Sequence, residues 1–259
     1  MSSTTRARPL TRFVAIVAAA AAWAVWPQPA AAQATVRAQA NVPAATDGVL
    51  TARQQSIAPI GAATASGDMT RLAAALNHGL DAGLTVSDAK EILVQLYAYA
   101  GFPRSLNALG ELMKVLDARR QRGIHDAPGR APGPVPTGKE LLAAGTANQT
   151  KLSGAPVKGP LFDFAPAIDE YLKTHLFGDI FARDNLDWQS RELATVGALA
   201  ALPGVESQLQ AHMRISMNVG LTARQLRSAG EALAQAGQPE AAERALGALE
   251  KHLADAGRR

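Results

Sequence analysis

From Leu161 onward, apolar positions recur every three or four residues, the spacing that gathers them on one face of a helix. Ile168, Tyr171, Leu172 and His175 share a face in a helix predicted over Ala165–Leu176. Asp187 is placed to cap a helix from Trp188 to about Leu202, with Leu193, Val196 and Ala200 as its stripe. Pro203-Gly204 turns the chain. The next helix carries Val205, Leu209, His212, Met213 and Ser216 inward and stops at Gly220. Thr222 caps another, and Gly237-Gln-Pro239 separates it from a last amphipathic helix ending near Ala256.

A similar pattern runs from about Gly67 to Arg122. Thr85-Val-Ser-Asp88 reads as a capping signal, followed by Ala89, Ile92, Leu93, Leu96, Tyr97 and Ala100 at helical spacing. Gly101-Phe-Pro103 breaks that helix, and the next presents Leu106, Leu109, Met113 and Leu116 on one face. Residues 123–160 hold six prolines and many glycines and read as a linker or surface excursion, with one short helix at Lys139–Ala144. Residues 35–66, rich in Ala, Thr, Ser, Gln and Gly with no sustained period, read as a disordered arm. No strand pattern appears. The expected fold is all-α, with two helical-hairpin units, 67–122 and 161–259, packed together.

Composition adds exclusions. Apolar residues make up 47% of the 259 residues and aromatics only 5%, a balance that supports a helical core. The chain has no cysteine, so disulfides, thiol nucleophiles and zinc-thiolate sites are excluded. Arg6, Arg8 and Arg12 precede an uncharged apolar run from Phe13 to Trp26, and small-residue cleavage sites follow at Ala30-Ala31-Ala32 or Ala32-Gln33-Ala34. That is the pattern of a secretory signal peptide over residues 1–34, and its apolar run is short for a stable membrane span. A periplasmic or secreted protein is expected. Removing the segment lowers the formal charge from +4 to +1, which leaves no electrostatic footprint for nucleic acid.

The candidate chemistry centres on Glu192 and His212. Glu192 lies about eleven residues before the Pro203-Gly204 turn and His212 about nine after it. At the rise of an α-helix those are roughly 17 Å and 13 Å from one turn, so an antiparallel hairpin sets them nearly opposite. A carboxylate facing an imidazole orients the ring for general acid–base work. The competing reading is a satisfied core histidine on an apolar stripe. Arg191 is a candidate to hold a substrate carboxylate, against a purely solvated role. His78, His125, His175 and His252 have no metal-ligand spacing, and Tyr97 and Tyr99 read as core residues. An internal echo is visible in Gly83-Leu-Thr85 against Gly220-Leu-Thr222, and in Lys90-Glu91 against Arg191-Glu192. On that pairing Glu91 stands at the place of Glu192, without a facing histidine.

The stretches Phe177-Gly-Asp-Ile-Phe-Ala-Arg183, Asn185-Leu-Asp187, Arg191-Glu-Leu-Ala-Thr195, Leu199-Ala-Ala-Leu202, Leu209-Gln-Ala-His212 and Asn218-Val-Gly-Leu-Thr222 resemble the carboxymuconolactone decarboxylase family. Glu91-Ile-Leu-Val-Gln-Leu-Tyr-Ala-Tyr-Ala-Gly-Phe-Pro103 and Leu106-Asn-Ala-Leu109 look like a second, diverged copy. The resemblance implies an alkylhydroperoxidase D-like helical fold, a homo-oligomer and, for the lyases of the family, no cofactor. Thiol peroxidase chemistry does not transfer. The Cys-x-x-Cys places ahead of the histidine hold Val205 and Gln208, and in the other copy Phe102 and Ser105. Two functions stay open: a lyase or isomerase on a small carboxylated lactone or β-keto acid, using His212 and Glu192 with Arg191 on the carboxylate, or a non-catalytic helical binding or assembly protein.

Overall fold

The computed structural model describes residues 48–258, and the expected signal peptide lies outside them. Among the described residues every regular element is a helix. The first copy comprises α1 (Ala52–Gln55), α2 (Ile57–Ser66), α3 (Met69–Asp81), α4 (Val86–Gln95), α5 (Tyr97–Ala100) and α6 (Phe102–Gln121). Then come α7 (Lys139–Ser153), α8 (Pro160–Phe164), and α9 (Pro166–Tyr171), which runs into a π-helix at Leu172–Ile180. The second copy follows as α10 (Trp188–Ala201), α11 (Glu206–Asn218), α12 (Ala223–Gln235) and α13 (Pro239–Ala256). No helix of the described residues is long and apolar enough to cross a membrane.

The centre of the molecule is the pair α2–α10, the most extensively packed pair of helices. Both are built of small residues, and the packing is reciprocal. A Cβ on Gly61 would run into the carbonyl oxygen of Ala194, and a Cβ on Gly197 into that of Ala58. Each glycine thus lies against the residue that stands three places before the other. The two copies are related in the same way elsewhere. Thr85 and Thr222 both form capping boxes, with Asp88 and Gln225 respectively. Gly83 and Gly220 both take positive φ in the turns before them, as Gly101 and Gly237 do in the turns that follow.

This arrangement corrects two expectations. Of the arm expected over residues 35–66, residues 35–47 lie outside the described residues, and residues 52–66 are helical. α2 is buried from Ile57 through Ala65, and a helix enclosed on every side carries no polar face to create a period. Pro59 explains the break at Ser56, because its ring excludes the carbonyl of Gln55 from the helical ladder. The internal echo also shifts. α10 corresponds to α2, and α4 to α12. The counterparts of Glu192 and His212 are therefore Ser56 and Ala75, and Glu91 is not the equivalent of Glu192. Replacing Gly197 with alanine is expected to force the central pair apart, at about 1–3 kcal/mol. A lowered denaturation midpoint checks this, and an unchanged midpoint would contradict it.

The Pro/Gly-rich segment is pinned to the surface. Backbone N–H groups of Val86 and Ser87, which start α4 and have no partner within it, donate to the carbonyls of Ala127 and Pro128 at 2.9 and 3.0 Å. Farther on, Asp184 accepts from the N–H of Gly133 at 2.8 Å and pairs with Arg130. The short helix expected at Lys139–Ala144 continues to Ser153 and packs on the π-helix. Gly145 makes this possible, since a Cβ there would strike the carbonyl of Lys173. On α6 the inward face is Ser105, Ala108, Leu112 and Val115, while Leu106 and Met113 are 61% and 67% exposed. Of the expected stripe, Leu109 and Leu116 pack against the edge of the core, while Leu106 and Met113 face out.

Candidate active site

Asp187 caps α10 by accepting from the backbone N–H of Ser190 at 2.8 Å, which fixes where the helix begins and so where Glu192 sits. One turn of chain after Pro203-Gly204, α11 returns antiparallel and carries His212 opposite. The two side chains meet: His212 Nδ1 lies 2.8 Å from Glu192 Oε2. Glu192 is fully buried, and the His212 side chain keeps 11% of its exposure. Glu192 Oε2 is acceptor-only when ionised, so Nδ1 carries the proton in this bond and Nε2 is left to face a reactant.

Arg191 does not fit the expected role. It is wholly buried, and its guanidinium is taken up by a charged network between the copies. Its Nη2 donates to Glu91 Oε1 at 2.9 Å and to the carbonyl of Arg183 at 2.9 Å, and its Nη1 donates to Gln95 Oε1 at 3.1 Å. Glu91 also accepts from Arg183 Nε at 2.6 Å and from Asn185 Nδ2 at 3.0 Å. Gln95 Nε2 donates to the carbonyl of Arg191 and to Thr195 Oγ1, at 2.9 and 2.8 Å. Burial works to raise the pKa of Glu91, but the Arg183 hydrogen bond, the Arg191 charge and Asn185 outweigh it and hold the carboxyl below its ordinary range. Burial lowers the pKa of Arg191, and the charge of Glu91 offsets part of that. The network clamps the first turn of α10, from which Glu192 projects.

Tyr99, read from sequence as core, belongs to the site as well. Its ring meets that of His212 edge-on, with centroids 5.5 Å apart. Burial first, and then the charge of Glu192, push its phenol well above the usual tyrosine range, so it stays protonated. The polar pair Glu91 and Gln95, four apart within the apolar run of α4, was the sequence signal for the network. His175 lies away from Glu192 and His212, in the π-helix, where it pairs with Asp179 at 2.7 Å on the surface. A groove of about 410 Å³ lies between α11 and α13, lined by Gln210, Arg214, His252 and Asp255 among others. It reaches Ala211, the neighbour of His212 in the chain, but His212 is not among its lining residues.

Among the described residues no group of three His, Asp or Glu side chains is placed to hold a metal ion. No curated protein matches the chain. The family model described as the carboxymuconolactone decarboxylase family matches it twice, over residues 29–113 and 166–251. The second match begins 137 residues after the first, the same offset that relates Thr85 to Thr222. With more than half of its length matched, by one match that takes in α1 to α5 and one that takes in α10 to α12, the chain belongs to the carboxymuconolactone decarboxylase family.

Proposed function

We propose that the protein is a cofactor-free lyase or isomerase that acts, after export, on a small carboxylated lactone or β-keto acid. The observation that carries this reading is the bond between His212 Nδ1 and Glu192 Oε2 inside the protein, with the ring still partly open to solvent. Glu192 holds Nδ1–H and thereby fixes the ring. Nε2 then takes or gives a proton at the carbon from which carbon dioxide leaves. Only the second copy carries this pair, because Ser56 and Ala75 stand at the corresponding places of the first. One site per chain is therefore expected. A histidine bonded only to backbone would favour a non-catalytic protein on the same fold, and a cavity reaching both His212 and Glu192 would favour the lyase. His212 is bonded to a carboxylate, and the groove between α11 and α13 stops at Ala211.

The basic, apolar and small-residue order of the first 34 residues supports action outside the cytoplasm. The exposed apolar stripe of α6 (Phe102, Leu106 and Met113) supports assembly with further copies. The test is carbon dioxide release from 4-carboxymuconolactone and a set of β-keto acids by protein purified from its native host. The intact mass of the same sample is expected to show a chain beginning after Ala32 or Ala34. A full-length cytoplasmic species would remove the export part of the reading. Absence of turnover across the set would remove the lyase part.

A further inference from the structure

We propose that Tyr99 is a third catalytic group of this site, donating its phenolic hydrogen to the substrate oxygen that becomes an enolate as carbon dioxide departs. The inference rests on the lyase reading above and adds a residue contributed by the other copy.

Tyr99 is oriented against the ordinary preference of a tyrosine near the surface. Such a ring commonly keeps its apolar body inside and its hydroxyl in water. Here the residue is only half-buried, yet its hydroxyl is shut away from solvent and makes no well-formed hydrogen bond among the described residues. Glu192 Oε1 and Ser216 Oγ are in the same condition. Ser216 lies one turn beyond His212 on α11, and the charge of Glu192 acts directly on Tyr99. Thr195 Oγ1, which accepts from Gln95 and donates to the carbonyl of Arg191, keeps one lone pair that acts weakly on the Tyr99 hydroxyl and that a substrate oxygen would replace. Buried polar atoms without partners are rare in native interiors, and several around one histidine mark a place for a polar ligand.

The backbone explains how Tyr99 arrives there. Between its capping threonine and its turn glycine, the first copy has one residue more than the second: Thr85 to Gly101 against Thr222 to Gly237. The extra residue coincides with the break at Leu96 that divides α4 from α5, whereas α12 is continuous. The break re-aims the short α5, and Tyr99 with it, toward the histidine of the second copy. The partial exposure of His212 marks the side from which a substrate enters.

The step balances without a further reagent. The bond to the departing carboxylate breaks, and its electron pair moves into the neighbouring carbonyl, whose oxygen accepts a hydrogen bond from the Tyr99 hydroxyl without taking its proton. The carbon then takes the Nε2 proton of protonated His212, the carbonyl re-forms, and His212 recovers a proton from water. Tyr99 remains protonated throughout and acts only as a donor, as in an oxyanion hole.

The test compares Tyr99→Phe, His212→Gln and the unaltered full chain. Turnover is followed with 4-carboxymuconolactone and acetoacetate, and binding with acetylacetone, whose planar enolate absorbs in the ultraviolet but cannot decarboxylate. Tyr99→Phe is expected to lower kcat by about 10²–10³-fold with little change in KM, and to lose the bound-enolate absorbance at neutral pH. If Tyr99→Phe keeps both the rate and that absorbance while His212→Gln is inactive, the role of Tyr99 is overturned and the lyase reading survives. If the unaltered protein neither turns over a substrate nor binds the enolate, the lyase reading falls and this proposal falls with it.

Discussion

His212→Gln is expected to lose about 10²–10⁴-fold in decarboxylation rate while keeping a melting temperature close to that of the unaltered protein. Glutamine is the informative replacement because of what lies behind the ring. Glu192 is fully buried and has one hydrogen-bond partner among the described residues, His212. An amide donor can still satisfy that carboxylate, but it cannot exchange a proton with a carbon. Alanine would remove the donor as well and leave a buried carboxylate unpaired, at about 1–3 kcal/mol or more. His212→Ala is therefore expected to combine lost turnover with lost stability. Glu192→Gln should cost less activity than His212→Gln, since it keeps the shape and removes only the charge that holds Nδ1–H. Initial rates and melting curves on these three variants separate the effects. An unchanged rate in His212→Gln, with a known substrate, would end the catalytic reading.

What could be read from the sequence was set by how local its cause is. The bounds of α10 to α13 followed from residues adjacent to them: Asp187 and Thr222 as caps, Gly220 and Gly237 as stops. The meeting of Glu192 with His212 needed only the helical rise and one turn. α2 failed for the opposite reason. Its burial depends on α10, more than a hundred residues later, and small residues such as Gly61 and Ala62 do not look like a core until that partner is known. Arg191 was misread in the same way, because Glu91 and Gln95 reach it from the other copy. The helix from Ala165 starts where expected, but its expected face is exposed at Ile168 and Tyr171. Its widening into a π-helix at Leu172–Ile180, which buries Leu176, Phe177 and Ile180 instead, follows from packing on α7, where Gly178 lies against Leu141. Tyr99 was visible as an aromatic at helical spacing. That its hydroxyl turns inward depends on one extra residue at Leu96, which no hydrophobic pattern records.

The same network makes Glu91 the residue whose loss should most damage the fold. Glu91→Gln leaves the Arg191 guanidinium buried without a countercharge, and removing one partner of a buried ion pair costs about 3–5 kcal/mol. For a domain of this size that corresponds to a fall in melting temperature of about 6–20 °C. The pH dependence has a definite sign. Because the pKa of Glu91 in the folded protein lies below its ordinary value of 4.5, the ionised carboxylate contributes its full stabilisation above that value. The contribution drains away as pH falls through the lower, folded value. The unaltered protein should therefore lose stability on acidification below about pH 4.5, and Glu91→Gln should lack that part of the loss. Replacing both partners, Glu91→Leu with Arg191→Met, is expected to recover much of the stability, since neither charge is then stranded. Yet the double variant should still be a poorer enzyme. Without the clamp on the first turn of α10, Glu192 is no longer held where it can orient His212. Full activity in a stable double variant would show that the site does not depend on the network behind it.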